Sequence, residues 1–151
     1  MISLKKLNLF SQNLPISSID CVIKIGDRFL LIKRKKWPAK NKFTFTGSIV
    51  QKNISIKKSI QKLIKREIGL TINSSPKLLG VRKFIFSKNF IGNKDKIEYI
   101  SQIYLIKISK KNIKNIDLDS DHSEFIFLNK KELIKNKNVI NQIKKFVKNT
   151  F

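Results

Sequence analysis

A change of hydrophobic period constrains this chain more than any other feature. Ile56, Ile60, Leu63, Ile64 and Ile68 recur at the spacing of one α-helical stripe. Ser55 or Asn53 can cap the start of that helix, and Gly69 stands where a left-handed C-terminal residue is wanted. Around it the apolar segments read as strands. Ile19–Ile25 is rich in β-branched residues, Gly26-Asp27 signals a turn, and Phe29–Ile32 resumes, which predicts a hairpin. Trp37-Pro38-Ala39 reads as a loop and Phe43–Thr46 as a short strand ending at Gly47. Extended stretches follow at Leu78–Phe86 and Ile97–Ile108, separated by Asn89–Asn93, with a further short strand at Phe125–Leu128. Asn129 caps a short helix through Leu133, and Ile140, Ile143 and Val147 stripe a terminal one. Strands with one central and one terminal helix predict a layered α+β domain.

A chain of 151 residues suits one domain, taken here as residues 1–151. Lys and Asn break every apolar run well short of the roughly 20 residues of a membrane helix. The start, Met1-Ile2-Ser3-Leu4-Lys5-Lys6, lacks the apolar core of a secretory signal. Cys21 is alone and cannot form an internal disulfide. The expectation is a cytoplasmic globular protein with no membrane partner.

The formal net charge of +23 invites a nucleic-acid reading. Against it, only Arg28, Arg34, Arg66 and Arg82 are arginine, the residue that reads phosphates and base edges bidentately. Ile, Lys and Asn dominate and Ala39 is the sole alanine, the pattern of an AT-rich coding bias. A solvated lysine surface that draws in small anions is therefore favoured over a nucleic-acid face.

Two places stand out from this background. One runs from Thr46-Gly47-Ser48 through the helix to Glu67-Ile68-Gly69-Leu70. The other is Asp119-Ser120-Asp121-His122-Ser123-Glu124, the densest acidic cluster and the home of the single histidine. Taken with Leu14-Pro15-Ile16-Ser17-Ser18-Ile19-Asp20, the run Leu30–Ala39 and Gly47-Ser48-Ile49-Val50-Gln51-Lys52, these segments resemble the Nudix hydrolases, specifically the GDP-mannose mannosyl hydrolase branch. The resemblance spans about Leu14 to Leu133.

In the Nudix box a glycine, a glutamate, an Arg-Glu pair, two adjacent glutamates and a second glycine follow one another, and the carboxylates gather divalent metals. Here the first glycine falls on Ser48 and the first glutamate on Ile54. The Arg-Glu pair becomes Lys62-Leu63 and the paired glutamates become Arg66-Glu67. Glu67, Gly69 and the apolar Ile64 and Leu70 remain. So few carboxylates argue against multi-metal attack on phosphorus. The mannosyl hydrolase branch also has a reduced box and works at carbon, water displacing GDP from the anomeric carbon with inversion.

That resemblance implies a Nudix-type α/β/α sandwich with a mixed β-sheet, one magnesium ion with manganese as substitute, and a homodimer. It places Gly47 (through its carbonyl), Glu67 and Asp121 on the metal, and His122 as general base. Asp20 faces the developing charge on the sugar and Arg34 the diphosphate, while Lys62 and Tyr99 join Arg34 on the substrate. Imidazole suits the base, its reference pKa of ~6.5 lying near working pH.

The chain also departs from that branch. An arginine two residues after the metal-binding glycine is Ile49 here. Loss of one donor to a developing anion typically costs ~100–1,000-fold in rate. An amide before the histidine is Asp121, whose charge is expected to raise the pKa of His122. A Trp and a Pro before the glycine are Phe43 and Thr46. The leading expectation is a magnesium-dependent hydrolase of a GDP-mannose-like nucleotide-sugar. The alternatives are a Nudix-fold module that binds a nucleotide or nucleic acid without turnover, and a pyrophosphatase attacking phosphorus.

Overall fold

The computed structural model describes residues 3–151. Met1 and Ile2, part of the stretch read for a secretory signal, lie outside the described residues. A mixed seven-stranded sheet runs through the molecule in the order β3-β2-β1-β6-β5. The central strand β1 (Ile16–Ile25) pairs in parallel with β6 (Ile97–Lys107) along Ile16–Lys24. Its other edge is shared. Ile23–Ile25 pairs antiparallel with β2 (Arg28–Arg34), and Ser18–Cys21 with β4 (Thr46–Ile49). β3 (Phe43–Thr44) and β7 (His122–Leu128) flank β2, and β5 (Lys77–Phe86) closes the far edge against β6.

Period-two alternation on β1 and β2 builds a core on each face. Ile19, Cys21, Ile23, Leu30 and Ile32 pack against Ile60, Leu63, Ile64 and Ile68 of α2 (Ile56–Ile68). Val22, Phe29 and Leu31 pack with Phe43, Phe45 and Leu133, and with Ile143, Phe146 and Val147 of α4 (Asn141–Thr150). Each such side chain contributes ~1.5–3 kcal/mol when fully buried, so the strands are held from both sides. This is the expected layering of helix on sheet on helix.

The helix boundaries follow local chemistry. The Ser55 hydroxyl accepts from the Lys58 N–H at 3.3 Å and caps α2, while Asn53 sits before it at φ 62°. Asn129 and Glu132 form a reciprocal capping box at the start of α3 (Lys130–Lys135), which runs past Leu133. A helix α1 over Leu4–Asn13 was not expected. It buries only Leu7, against Ile16 and Ile97, so it has no stripe to read.

Two strand boundaries also differ from expectation, and both shape the site. Phe43–Thr46 is not one strand ending at Gly47. The chain leaves β2 after Thr44 and joins β1 at Thr46, running through Gly47 to Ile49. Likewise the last strand begins at His122 rather than Phe125, through an irregularity that pairs His122 with Arg34.

Candidate active site

The sheet brings one wall of the site together at β1. Asp20 lies directly opposite Gly47 on β4 and beside Ile103 on β6. Its Oδ2 accepts a short hydrogen bond from the fully buried Ser101 hydroxyl. A Cβ at Gly47 would stand 2.5 Å from Asp20 Oδ1, so only glycine leaves room for that carboxylate. Burial pushes the Asp20 pKa up to about 6, against the opposing pull of the Ser101 hydrogen bond and the charge of Arg34.

The second wall is the C-terminal turn of α2. Glu67 is 4% exposed, its Oε1 3.0 Å from the Arg66 guanidinium, while its Oε2 accepts from the Gly47 N–H at 3.3 Å. Burial raises its pKa to about 7, more than Arg66 and Arg34 lower it. Gly69 follows in the left-handed conformation at φ 73°, and its N–H closes the last turn onto the Lys65 carbonyl. The carbonyls of Glu67 and Ile68 accept from the backbone N–H groups of Asp119 (3.3 Å) and Asp117 (3.0 Å). The acidic loop is thereby laid across the end of the helix.

That loop forms the third wall. His122 is 5% exposed and its Nδ1 lies 2.6 Å from Asp119 Oδ1. Burial is the largest influence on its pKa and holds it below the usual imidazole value, although Asp119 and Asp121 both push upward. Asp121 does push it upward, as expected. Desolvation of the ring outweighs the nearby charge, so the net shift is downward. Asp121 itself is half exposed and paired with Lys36 at 2.5 Å, which lowers its pKa.

Arg34 ties the three walls together. Its Nε donates to the Pro38 carbonyl at 2.8 Å, so the Trp37-Pro38 loop orients the guanidinium. Its charge acts on Asp20, Glu67, Tyr99, Asp121 and His122 alike. Tyr99 sits on β6 with its ring edge-to-face against Phe86 and Phe90, and burial raises its pKa. Lys62 stands exposed on α2, one turn before Arg66. Trp37 is covered by Lys88, 4.4 Å above its ring. Ile49 packs in the small cluster with Leu7, Ile16 and Ile97.

No family model matches the sequence. Over 78 residues the chain is 36% identical to an ADP-ribose pyrophosphatase of Methanocaldococcus jannaschii, a match covering 52% of this chain and 44% of that protein. The chain thus spans less than half the length of that curated relative. The MutT protein of Methanosarcina mazei Go1 superposes with a TM-score of 0.73 at 17% identity, over 91% of this chain and 94% of that one. A MutT Nudix hydrolase from Burkholderia pseudomallei gives 0.72 at 18% identity, over 91% and 98%. The chain has the Nudix fold.

α2 is the helix onto which the sequence resemblance places the Nudix box, and Glu67 is its sole carboxylate. Among the described residues no three His, Cys, Asp or Glu side chains gather to hold a metal by themselves. A multi-ion cage therefore does not fit. A single hard cation does: Glu67 is a buried carboxylate whose protein partners are one N–H and one exposed guanidinium. Such a site would draw on Glu67, the Gly47 carbonyl and an acidic loop residue, sharing the remaining positions with water and phosphate. Two residues of this Nudix site went unread in the sequence. Asp119 had a signal, three residues before the histidine. Ser101 had none, because only the β1–β6 register brings it to Asp20.

Proposed function

We propose that the chain is a divalent-metal-dependent Nudix hydrolase of a nucleotide-sugar, GDP-mannose-like, with water attacking the anomeric carbon. One observation carries this reading: a buried imidazole is held 2.6 Å from a carboxylate in a site whose helix carries a single glutamate. A base on a loop together with one metal ligand suits attack at carbon better than a many-carboxylate metal cluster would.

In this mechanism His122 takes the proton of the attacking water through Nε2 as the new C–O bond forms. The bond from the anomeric carbon to the diphosphate oxygen breaks, and the nucleoside diphosphate leaves with that electron pair. Asp20, on the opposite wall, lowers the energy of the positive charge that develops on the sugar ring. Arg34 binds the diphosphate, and its orientation by the Pro38 carbonyl leaves little to reorganise. A magnesium or manganese ion, held by the Gly47 carbonyl, Glu67 and Asp121, would supply charge neutralisation for the leaving diphosphate.

The relative from Methanocaldococcus jannaschii supports a second reading, attack on phosphorus in an ADP-ribose-like substrate. Incubating the protein and Mg²⁺ with GDP-mannose, other nucleotide-sugars and ADP-ribose in ¹⁸O-water separates the two. Label in the released sugar is expected. Label in phosphate selects the second reading, and no release from any compound overturns both.

A further inference from the structure

Asp119 makes more contacts at the site than any single role among the expected residues accounts for. Its Oδ1 meets the His122 Nδ1 at 2.6 Å and also accepts from the Asp121 N–H at 3.0 Å. Its own N–H donates to the Glu67 carbonyl at 3.3 Å, and its carbonyl accepts from the His122 N–H at 3.3 Å. Two residues earlier, the Asp117 N–H donates to the Ile68 carbonyl, and a Cβ at Gly69 would press within 3.0 Å of Asp117 Cβ. The far side of the loop is also tied down. The Lys35 N–H donates to the Asp121 carbonyl at 2.8 Å, and the Lys35 Nζ donates to the Ser120 carbonyl at 3.2 Å.

We propose that Asp119 is the positioning residue of the base: its carboxylate fixes the Nδ1–H form of His122, while its backbone registers the imidazole on the end of α2. Nδ1 must carry the hydrogen to donate to a carboxylate, and this leaves Nε2 unprotonated and directed away from Asp119 to accept the proton of water. The orienting carboxylate does not take the proton itself; it sets tautomer and direction, as the third member of a catalytic triad does. Registration matters equally. The same turn of α2 carries Glu67, so base and proposed metal ligand are spaced by two backbone hydrogen bonds instead of by a free loop. The Gly69 conformation admits this strap, since any side chain there would meet Asp117.

The geometric half of this inference stands without the hydrolase reading, and its catalytic half rests on it. The chain has one histidine, so the imidazole nitrogens of ¹⁵N-labelled full-length protein give an unambiguous signal. At pH 8 the wild type is expected in the Nδ1–H form, and Asp119→Ala as a mixture of tautomers with native amide shifts elsewhere. A wild-type ring protonated on Nε2, or a tautomer unchanged in Asp119→Ala, overturns the proposal. Should Asp119→Ala fail to fold, the wild-type spectrum alone still decides.

In kinetics with the nucleotide-sugar that proves active, Asp119→Asn keeps the shape and loses the charge. It should lower kcat on the order of 10²–10⁴-fold and leave KM within about twofold, with Asp119→Glu recovering part of the loss. An unchanged kcat, or a loss confined to KM, overturns the positioning role. Absence of any turnover in the wild type would count against the hydrolase reading, and the tautomer would still decide on Asp119.

Discussion

The end of helix α2 and the loop laid across it, residues 117–122, meet at the same site but hold their polar groups very differently. Along α2 the positions that the resemblance aligns with the Nudix box carry lysine, leucine and arginine, with Glu67 the sole carboxylate. The chain has ten acidic residues in all, and the short stretch from Asp117 to Glu124 holds four of them with the only histidine. Leu63 is buried in the core while Lys62 and Arg66 are solvated, so the apolar stripe holds the helix and its charged face is free to vary. The loop has no such freedom. The backbone or side chain of Asp117, Asp119, Asp121 and His122 is each committed to a stated partner. The helix thus holds the fold through packing, and the polar contacts of the site gather on the loop.

The sharpest way to break this contrast is to remove the base. His122→Ala is expected to lower kcat on the order of 10²–10⁴-fold, the usual contribution of a general base. A variant that retains most of its turnover would place the chemistry elsewhere.

Glu67→Gln comes next. Loss of a direct ligand should weaken the apparent affinity for Mg²⁺ by about 100-fold, the upper end of what even outer-shell partners cost. Because burial lifts the Glu67 pKa to about 7, a proton competes with the metal. Wild-type Mg²⁺ affinity should therefore rise about tenfold per pH unit up to roughly neutrality and level off above it. The Gln variant should show no such dependence in a titration from pH 5.5 to 8.5. A wild-type affinity flat over that range would mean that Glu67 does not hold the ion.

The same contrast explains what could be read in advance. The stripe of α2, the hairpin and the capping residues Ser55, Gly69 and Asn129 were all legible, because each is a local pattern with a local cause. Helix α1 was not, since one buried leucine makes no period. The pairing partners of β4 and the early start of β7 were missed because both are set by neighbours distant in sequence. Gly47 looked like a strand end; it lies within β4 opposite Asp20, where a Cβ would crowd that carboxylate. In the site, Arg34 could be placed in a basic run but not given its reach to all three walls. The acidic cluster was visible as a cluster, yet which aspartate faces the imidazole depended on backbone bonds to α2.

Asp20→Asn tests the strand wall, with a smaller effect that is read in stability. The folded pKa of Asp20, about 6, lies above its ordinary 3.8, so folding disfavours the ionised form. Below about pH 4 the carboxyl is protonated in both states and costs nothing. As pH rises through 6 the wild type loses stability, by no more than about 2–3 kcal/mol for a shift of this size. Asp20→Asn removes the charge, so it should melt with the wild type near pH 4 and above it near pH 8, while turnover falls. Equal melting temperatures at both pH values would mean that Asp20 is better solvated than its place beside Ser101 and Gly47 implies.

Lys62→Ala marks the lower end of the scale and probes the rewritten helix face itself. Lys62 is exposed, so any pull it exerts on an anionic substrate passes through water and is screened over about 8 Å at physiological ionic strength. Its removal should raise KM about two- to threefold at low salt, leave kcat unchanged, and have no effect at 0.5 M salt, where the remaining attraction is screened. Stability should move by less than about 0.5 kcal/mol, as for most exposed positions. A tenfold rise in KM that survives high salt would show that Lys62 touches the substrate directly. The helix face would then be a binding surface in its own right, and the difference between helix and loop would be one of task.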